Sequence, residues 1–195
     1  MHHSEIYLLD ATQSEDRARQ DADVIATLFP GPHKVNIVVT DLAWPHVAGV
    51  RYWVAQGATI VAHAAARGFL RQVVDRRWTL APDSLEKRRQ RDPKSVRMHR
   101  IPVREPTSVA GGALRLAPID GIGSEVALMA YVAADRLLWA SDYIQTIDEP
   151  GLYANDVMQA AQRADIHPER VAAQHLPLSE WKTVLAAQRK GASRN

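Results

Sequence analysis

The sequence predicts an α/β fold built from two helix-covered β-sheets. Strand and helix patterns alternate from 35 to 76, and a second set of such patterns runs from 113 to 189. A charged, proline-punctuated segment, 78–107, lies between them. Because each half has its own strands and helices, we expect two facing mixed sheets with helices outside rather than one doubly wound sheet.

The first half has the order strand, helix, strand, helix. Ser14 stands where an N-cap belongs, before an amphipathic stretch that ends at Pro30. The predicted elements are strand 6–9, helix 14–29, strand 35–40, helix 46–56, strand 58–62 and helix 64–76. Alternation of this kind predicts a mostly parallel sheet.

The second half begins with three strand patterns and ends with helices. The predicted elements are strands 113–119, 125–132 and 136–140 with a turn at 133–135, helix 151–164, short strand 171–173 and helix 178–189. The segment 78–107 is predicted to cross between the halves with little core of its own. We therefore expect one domain, 1–195, with halves 5–77 and 108–190.

Composition excludes several classes of protein. No apolar run of the 195 residues approaches the ~20 needed to span a bilayer, so we expect no membrane insertion. The absence of cysteine excludes disulfides and thiolate ligands and is compatible with a cytoplasmic location. The basic cluster at 87–91 has no interleaved aromatic residues, so we interpret it as a solvated helix end rather than a nucleic-acid site.

The segment 41–46, Asp-Leu-Ala-Trp-Pro-His, follows a strand and precedes a helix. Sites in open α/β folds are built at such strand ends. The segment resembles the metallo-β-lactamase fold superfamily, in which the equivalent strand ends in Thr-His-x-His-x-Asp-His. The family's following strand, Gly-Ala-x-Ile-Val-x-His, is matched by 57–63, Gly-Ala-Thr-Ile-Val-Ala-His. Only the last histidine of the metal motif remains, as His46.

The resemblance continues in the second half and covers about 6–187. The strand pair that supplies a ligand His and a bridging Asp in the family is similar to 123–142, where Gly123 takes the His position and Asp142 the Asp position. The family's last ligand His, followed by Pro and Trp, is matched by His175 within 171–181. No single motif is intact. The resemblance implies a four-layer αββα sandwich of metallo-β-lactamase type that lacks the first N-terminal strands.

The resemblance also implies what became of the two metal sites. The first metal would need three imidazoles at positions held here by Asp41, Ala43 and Gly123, and Ala and Gly offer no donor. The second metal would use Asp, His, Asp and His. Pro45 has replaced the first of these ligands, while His46, Asp142 and His175 remain, a set compatible with one catalytic-type zinc.

Two functions follow from these positions. The first is a binding or oligomeric module without dinuclear zinc hydrolase activity and without a cofactor, in which His46, Asp142 and His175 have ordinary capping and hydrogen-bonding roles. The second is a mononuclear metal-dependent hydrolase that holds one Zn with those three residues and uses Asp41 as an orienting group or base. The sequence indicates a possible small-molecule ligand but does not identify it. No phosphate-loop or dinucleotide motif is present.

The family begins with several antiparallel strands before the one equivalent to 6–9, and this chain starts close to that strand. An uncovered sheet edge favours pairing with another chain. We therefore expect a homodimer or larger homo-oligomer joined near 6–9, or missing strands supplied by a separate polypeptide.

Overall fold

The computed structural model describes residues 4–148, 150–151 and 153–192. The chain divides into two compact units, Met1–Pro102 and Val103–Asn195. Each unit has one β-sheet and its own apolar core. The prediction of two sheets rather than one doubly wound sheet is confirmed. None of the helices in the described ranges is long and apolar enough to cross a membrane.

The first unit has a four-stranded sheet in the order β1-β2-β3-β4. Its first three strands are parallel, as predicted, and β1 pairs with β2 from Ser4 opposite His33 to Leu9 opposite Val38. Parallel pairing brings the carboxyl ends of these strands to one edge of the sheet. The strands are β1 (Ser4–Leu9), β2 (His33–Val39), β3 (Thr59–His63) and β4 (His99–Val103).

The described part of the first unit contains the α-helices α1 (Glu15–Leu28), α2 (Trp44–Val47), α3 (Val50–Ala55), α4 (Arg67–Asp75) and α5 (Ser84–Arg91). The predicted cap is present, because the Ser14 side chain accepts a hydrogen bond from the Arg17 N–H. Ile37 and Ile60 of the sheet are fully buried in the same core as Trp53 of α3 and Leu70 of α4. Apolar burial against the sheet is the main source of stability for such helices.

The predicted single helix 46–56 is in fact two short helices, α2 and α3, separated at Gly49. The Gly49 N–H donates to the Ala11 carbonyl at 2.8 Å. A Cβ at this position would lie 3.0 Å from the Ala18 Cβ. The helix is therefore interrupted where its backbone comes close to the segment after β1 and to α1.

The segment 78–107 contains a helix, α5, of which the sequence indicated only the basic end. Leu85 is fully buried in the core of the first unit, and so is the Glu86 side chain. Most of this segment is exposed or half-buried, as expected, and its buried residues are Leu85, Glu86 and Val103. Of the predicted basic cluster, Arg88 donates to the Ala55 carbonyl, and Arg89 donates to Glu86 and to the Val74 carbonyl.

Glu86 is the centre of this charge network. Its carboxylate accepts from Arg77 Nη2 at 2.6 Å and Nε at 2.9 Å, and from Arg89 Nη1 at 3.0 Å. The hydrogen bonds from Arg77, which outweigh burial, lower the pKa of Glu86 from 4.5 to about 2. Beside it, Asp83 accepts from Arg51; burial alone would raise the Asp83 pKa, but the Arg51 hydrogen bond holds it below its usual value.

The second unit has a six-stranded sheet in the order β10-β9-β8-β7-β6-β5. Pairing is antiparallel except between β8 and β9, which run parallel, so this sheet is mixed as predicted. The strands are β5 (Thr107–Val109), β6 (Leu114–Pro118), β7 (Leu128–Val132), β8 (Leu137–Trp139), β9 (Arg170–Ala172) and β10 (Ser179–Glu180).

Two helices, α6 (Ala154–Arg163) and α7 (Trp181–Ala192), contribute to the core of the second unit. The predicted helix 151–164 begins three residues later than expected. The predicted helix 178–189 begins at Trp181 instead, because Ser179 and Glu180 pair with β9 as the short strand β10. The Trp181 N–H donates to the Glu169 carbonyl and joins this strand to the helix.

Glu86 should make the stability of the protein depend on pH below about 4.5. Its folded pKa, about 2, is below the ordinary 4.5. The carboxylate therefore stabilises the fold fully above pH 4.5, and that contribution is lost as the pH falls towards 2. We expect Glu86→Gln to lower the free energy of unfolding at pH 7 and to flatten its decline between these pH values, measured by urea denaturation.

Glu180→Gln is the matched control, because Glu180 is exposed and makes a long, weak ion pair with Lys182 at 3.9 Å. The free energy of unfolding of this variant should equal that of the unsubstituted protein at every pH. If the free energy of unfolding declined equally with pH in the Glu86 variant and in the unsubstituted protein, Glu86 would not be the source of the pH dependence.

Candidate functional site

The carboxyl ends of β1 and β2 are joined through the buried carboxylate of Asp10. Its Oδ1 accepts from the Thr40 backbone N–H at 2.8 Å, and the Thr40 hydroxyl lies 2.9 Å and 2.8 Å from its two oxygens. Its Oδ2 lies 3.0 Å from His46 Nδ1. Asp10 therefore connects the end of β1, the end of β2 and helix α2. We did not predict a role for Asp10, although its position directly after a predicted apolar strand was the available signal.

His46 is fully buried on α2. An ionised carboxylate only accepts hydrogen bonds, so the contact with Asp10 places the imidazole proton on Nδ1. In the neutral ring the lone pair is then on Nε2. Metal-binding histidines characteristically donate their other ring N–H to a carboxylate in this way. The geometry is thus compatible with a ligand role, although buried histidines also need such a partner for stability.

Asp41 is half-buried at the start of the loop after β2. Its Oδ1 accepts from the Ala43 N–H at 2.5 Å, a side-chain turn that orders the loop. Of the roles considered for this residue, the bond to the loop backbone is the one that this contact supports.

Asp142 and His175 lie together in the second unit. The parallel strands β8 and β9 end side by side, and the Gln174 N–H donates to the Ser141 carbonyl at 2.7 Å just beyond them. His175 Nε2 is 3.4 Å from Asp142 Oδ1, and the side chains are 56% and 37% exposed. Gln145 Nε2 donates to the same Asp142 oxygen at 2.9 Å. The structure thus brings together two of the three residues that were predicted to converge.

Gly123, at the family's position for a ligand His, has a backbone that disfavours side chains. Its φ is +83°, in the left-handed region. A Cβ there would lie 3.1 Å from the Tyr153 hydroxyl and 3.2 Å from Tyr153 Cε1. Tyr153 packs edge-on against Tyr143, with the ring centroids 5.7 Å apart. The space beside Gly123 is therefore lined by tyrosine, a feature that the motif comparison did not reveal.

Within the ranges that the structure describes, no group of three or more His, Asp or Glu side chains is positioned to hold a metal ion. His46 belongs to the first unit, whereas Asp142 and His175 belong to the second. A joint site of His46, Asp142 and His175 stays a prediction.

Comparison with solved structures shows similarity over nearly the whole chain. The metallo-β-lactamase DIM-1 matches with a TM-score of 0.71 and 10% identity, over 100% of this chain and 85% of that one. TMB-1 matches with a TM-score of 0.70 and 12% identity, over 99% and 84%. The metallo-β-lactamase FIM-1 from Pseudomonas aeruginosa, in its mono-zinc form, matches with a TM-score of 0.65 and 13% identity, over 99% of this chain and 81% of that one. The chain has the metallo-β-lactamase fold.

The metallo-β-lactamase fold is established here by structure and not by sequence. No family model matches the chain, and no curated protein matches its sequence. At identities of 10–13% the likeness carries the fold alone. The predicted fold class is confirmed, and activity has to be argued from the residues at the strand ends.

Removing the Asp10 carboxylate should destabilise the protein strongly. Asp10→Ala removes the hydrogen bonds that a buried carboxylate makes with the Thr40 N–H, the Thr40 hydroxyl and the His46 ring. We expect a loss of about 3 kcal/mol in the free energy of unfolding, measured by urea denaturation at pH 7. Because Asp10 has a φ of +67°, part of the alanine effect is backbone strain, and Asp10→Asn, which tolerates this conformation, separates the two.

Asp75→Ala is the control, since Asp75 is exposed and, among the residues that the structure describes, is paired only with Arg71 at 3.4 Å. Its loss should be about 1 kcal/mol or less. Equal losses for Asp10→Ala and Asp75→Ala would show that the Asp10 hydrogen bonds do not stabilise the fold.

Proposed function

We propose that this protein is a metallo-β-lactamase-fold protein without the dinuclear zinc hydrolase centre, acting by binding small molecules or protein partners. The observation that carries the proposal is the chemistry of the first metal position. Ala43 and Gly123 present no donor atom there. Asp41 alone cannot hold a zinc ion, which needs at least three protein ligands in catalytic sites.

The surroundings of these positions support the same proposal. The Asp41 carboxylate accepts a backbone hydrogen bond from Ala43 within its own loop. At Gly123 a new side chain would meet the Tyr153 ring at 3.1–3.2 Å. Recovering the first site would thus require more than restoring the missing histidines, because the backbone at 123 and the neighbouring tyrosine would have to move.

A mononuclear metal-dependent hydrolase is the second candidate. The contact of His46 with Asp10 and that of His175 with Asp142 favour it, because both involve residues of the remaining second-site set. His46, Asp142 and His175 would hold the ion, and Asp41 would orient water or act as base. A zinc ion bound there would supply a Lewis acid that lowers the pKa of a bound water to about 7.

Metal content separates the two candidates. We expect protein purified without chelator to contain well below one zinc per chain by inductively coupled plasma mass spectrometry. We also expect it to hydrolyse none of a panel of β-lactam, thioester and phosphodiester substrates.

His175→Ala and the control His167→Ala sharpen this test. His167 is also an exposed histidine beside an aspartate, 2.8 Å from Asp165, but it is not one of the predicted ligands. One zinc per chain that is lost in the His175 variant and kept in the His167 variant would establish the mononuclear site and overturn our first proposal.

We further propose that the chain forms a homodimer through β1 and the neighbouring apolar surface. Among the described strands β1 is at the edge of its sheet. The helix that follows it ends with exposed apolar side chains, namely Val24, Leu28 and Phe29, which are 54%, 64% and 49% exposed. An open strand edge and exposed apolar groups each favour association, and a two-fold contact is its commonest closed form.

Light scattering should give a mass of about twice the 21.6 kDa chain at micromolar concentration. Phe29→Asp should shift the mass towards one chain without loss of helical circular dichroism, because Phe29 is already half-exposed. Leu178→Asp changes an equally exposed apolar residue of the second unit, 58% exposed, and should leave the mass unchanged. A single-chain mass for the unsubstituted protein would overturn the dimer.

A further inference from the structure

A cavity of about 330 Å³ opens on the first unit, beside helices α2 and α4 and the residues that follow α4. Its volume lies at the lower end of the range found for small-molecule sites. The lining residues are Trp44, Ala48, Arg51, Phe69, Gln72, Val73, Arg76 and Trp78.

Three aromatic side chains give this cavity its apolar character. Trp44 on α2 is 61% exposed, while Phe69 on α4 and Trp78 after α4 are each 39% exposed. They come from three separate segments and line one concavity. Large aromatic groups left in water around a pocket mark a place where a ligand gains favourable burial.

The two arginines of the cavity differ in their partners. Arg51 is buried, donates to Asp83, and gives its Nη1 protons to the carbonyls of Val73, Val74 and Arg76. Its charge and donors are therefore used within the protein.

Arg76 is exposed at the end of α4, and its guanidinium lies over the Trp78 ring, 5.3 Å from the centroid. Within the described ranges no carboxylate pairs with its side chain. Arg76 thus brings an uncompensated positive charge to an aromatic cavity.

We propose that this cavity binds a small aromatic anion, with the ring packed among Trp44, Phe69 and Trp78 and the carboxylate on Arg76. Arginine pairs with carboxylates through two parallel hydrogen bonds, which suits a flat acid. A concave volume of this size favours a small molecule over a protein surface.

This cavity is separate from the residues of the metal prediction. Trp44 and His46 share helix α2, but His46 is fully buried whereas Trp44 is exposed to the cavity. The inference rests on the proposed binding role and gives it a ligand class. Its test does not involve zinc, so its failure and that of the metal-free proposal are distinguishable.

Calorimetric titration with 2-naphthoate and with its neutral analogue 2-naphthamide tests the proposal on the full chain. We expect saturable one-to-one binding of 2-naphthoate and binding of the amide that is about tenfold weaker. Arg76→Gln should weaken naphthoate binding to the level of the amide and leave amide binding unchanged. Phe69→Ala should weaken the binding of both ligands about tenfold, because it removes an aromatic ring of the cavity lining that both ligands contact.

Arg71→Gln is the matched control, an exposed arginine of the same helix that does not line this cavity. It should bind both ligands like the unsubstituted protein, and circular dichroism should show all three variants folded. Absence of saturable naphthoate binding up to millimolar concentration would overturn the proposal. So would equal binding of acid and amide by the unsubstituted protein, or equal losses in the Arg76 and Arg71 variants.

Discussion

The candidate site depends on the hydrogen bonds that the buried carboxylate of Asp10 makes with Thr40 and His46. β1 and β2 end side by side because they are parallel and in register, but parallel pairing alone does not order the loops that follow. Asp10 orders them by accepting from Thr40 at the end of β2 and from His46 on α2. The Ala11 N–H also donates to the His46 carbonyl at 3.0 Å. These bonds hold α2 against the end of β1, where a free loop would otherwise lie.

That anchoring is compatible with the proposed loss of metal ligands. In a zinc-dependent site the metal itself holds strand-end loops together. Here the loop after β2 is held by the Asp41 turn and by Asp10, and the space beside Gly123 is lined by Tyr153. The loop after β2 thus has a polar contact, and Gly123 an aromatic neighbour, within the protein itself.

The parts of the fold predicted from sequence are those with a regular apolar period. Strands such as 35–40 were found to within two residues, because their side chains are buried apolar groups. Only the basic end of helix α5 was indicated by the sequence, because its buried Glu86 is stabilised by Arg77 and Arg89, a pairing that hydrophobic patterns do not reveal. The break between α2 and α3 depends on the close approach of Gly49 to Ala11 and Ala18. The role of Asp10 depends on its hydrogen bond with Thr40. A single sequence does not reveal either contact. The proximity of Asp142 and His175 was predictable because both follow adjacent strands.

The retained residues of the second metal position carry unequal weight as evidence for function. His46 and Asp10 are both buried, and removing either would leave a polar group without its partner, at a cost of about 1–3 kcal/mol. Stability alone is therefore enough reason for His46 to be present. His175 is exposed and Asp142 half-buried, and a pair of this kind near water contributes at most about 1 kcal/mol. Their contact therefore contributes much less to folding than the buried contact of Asp10 with His46.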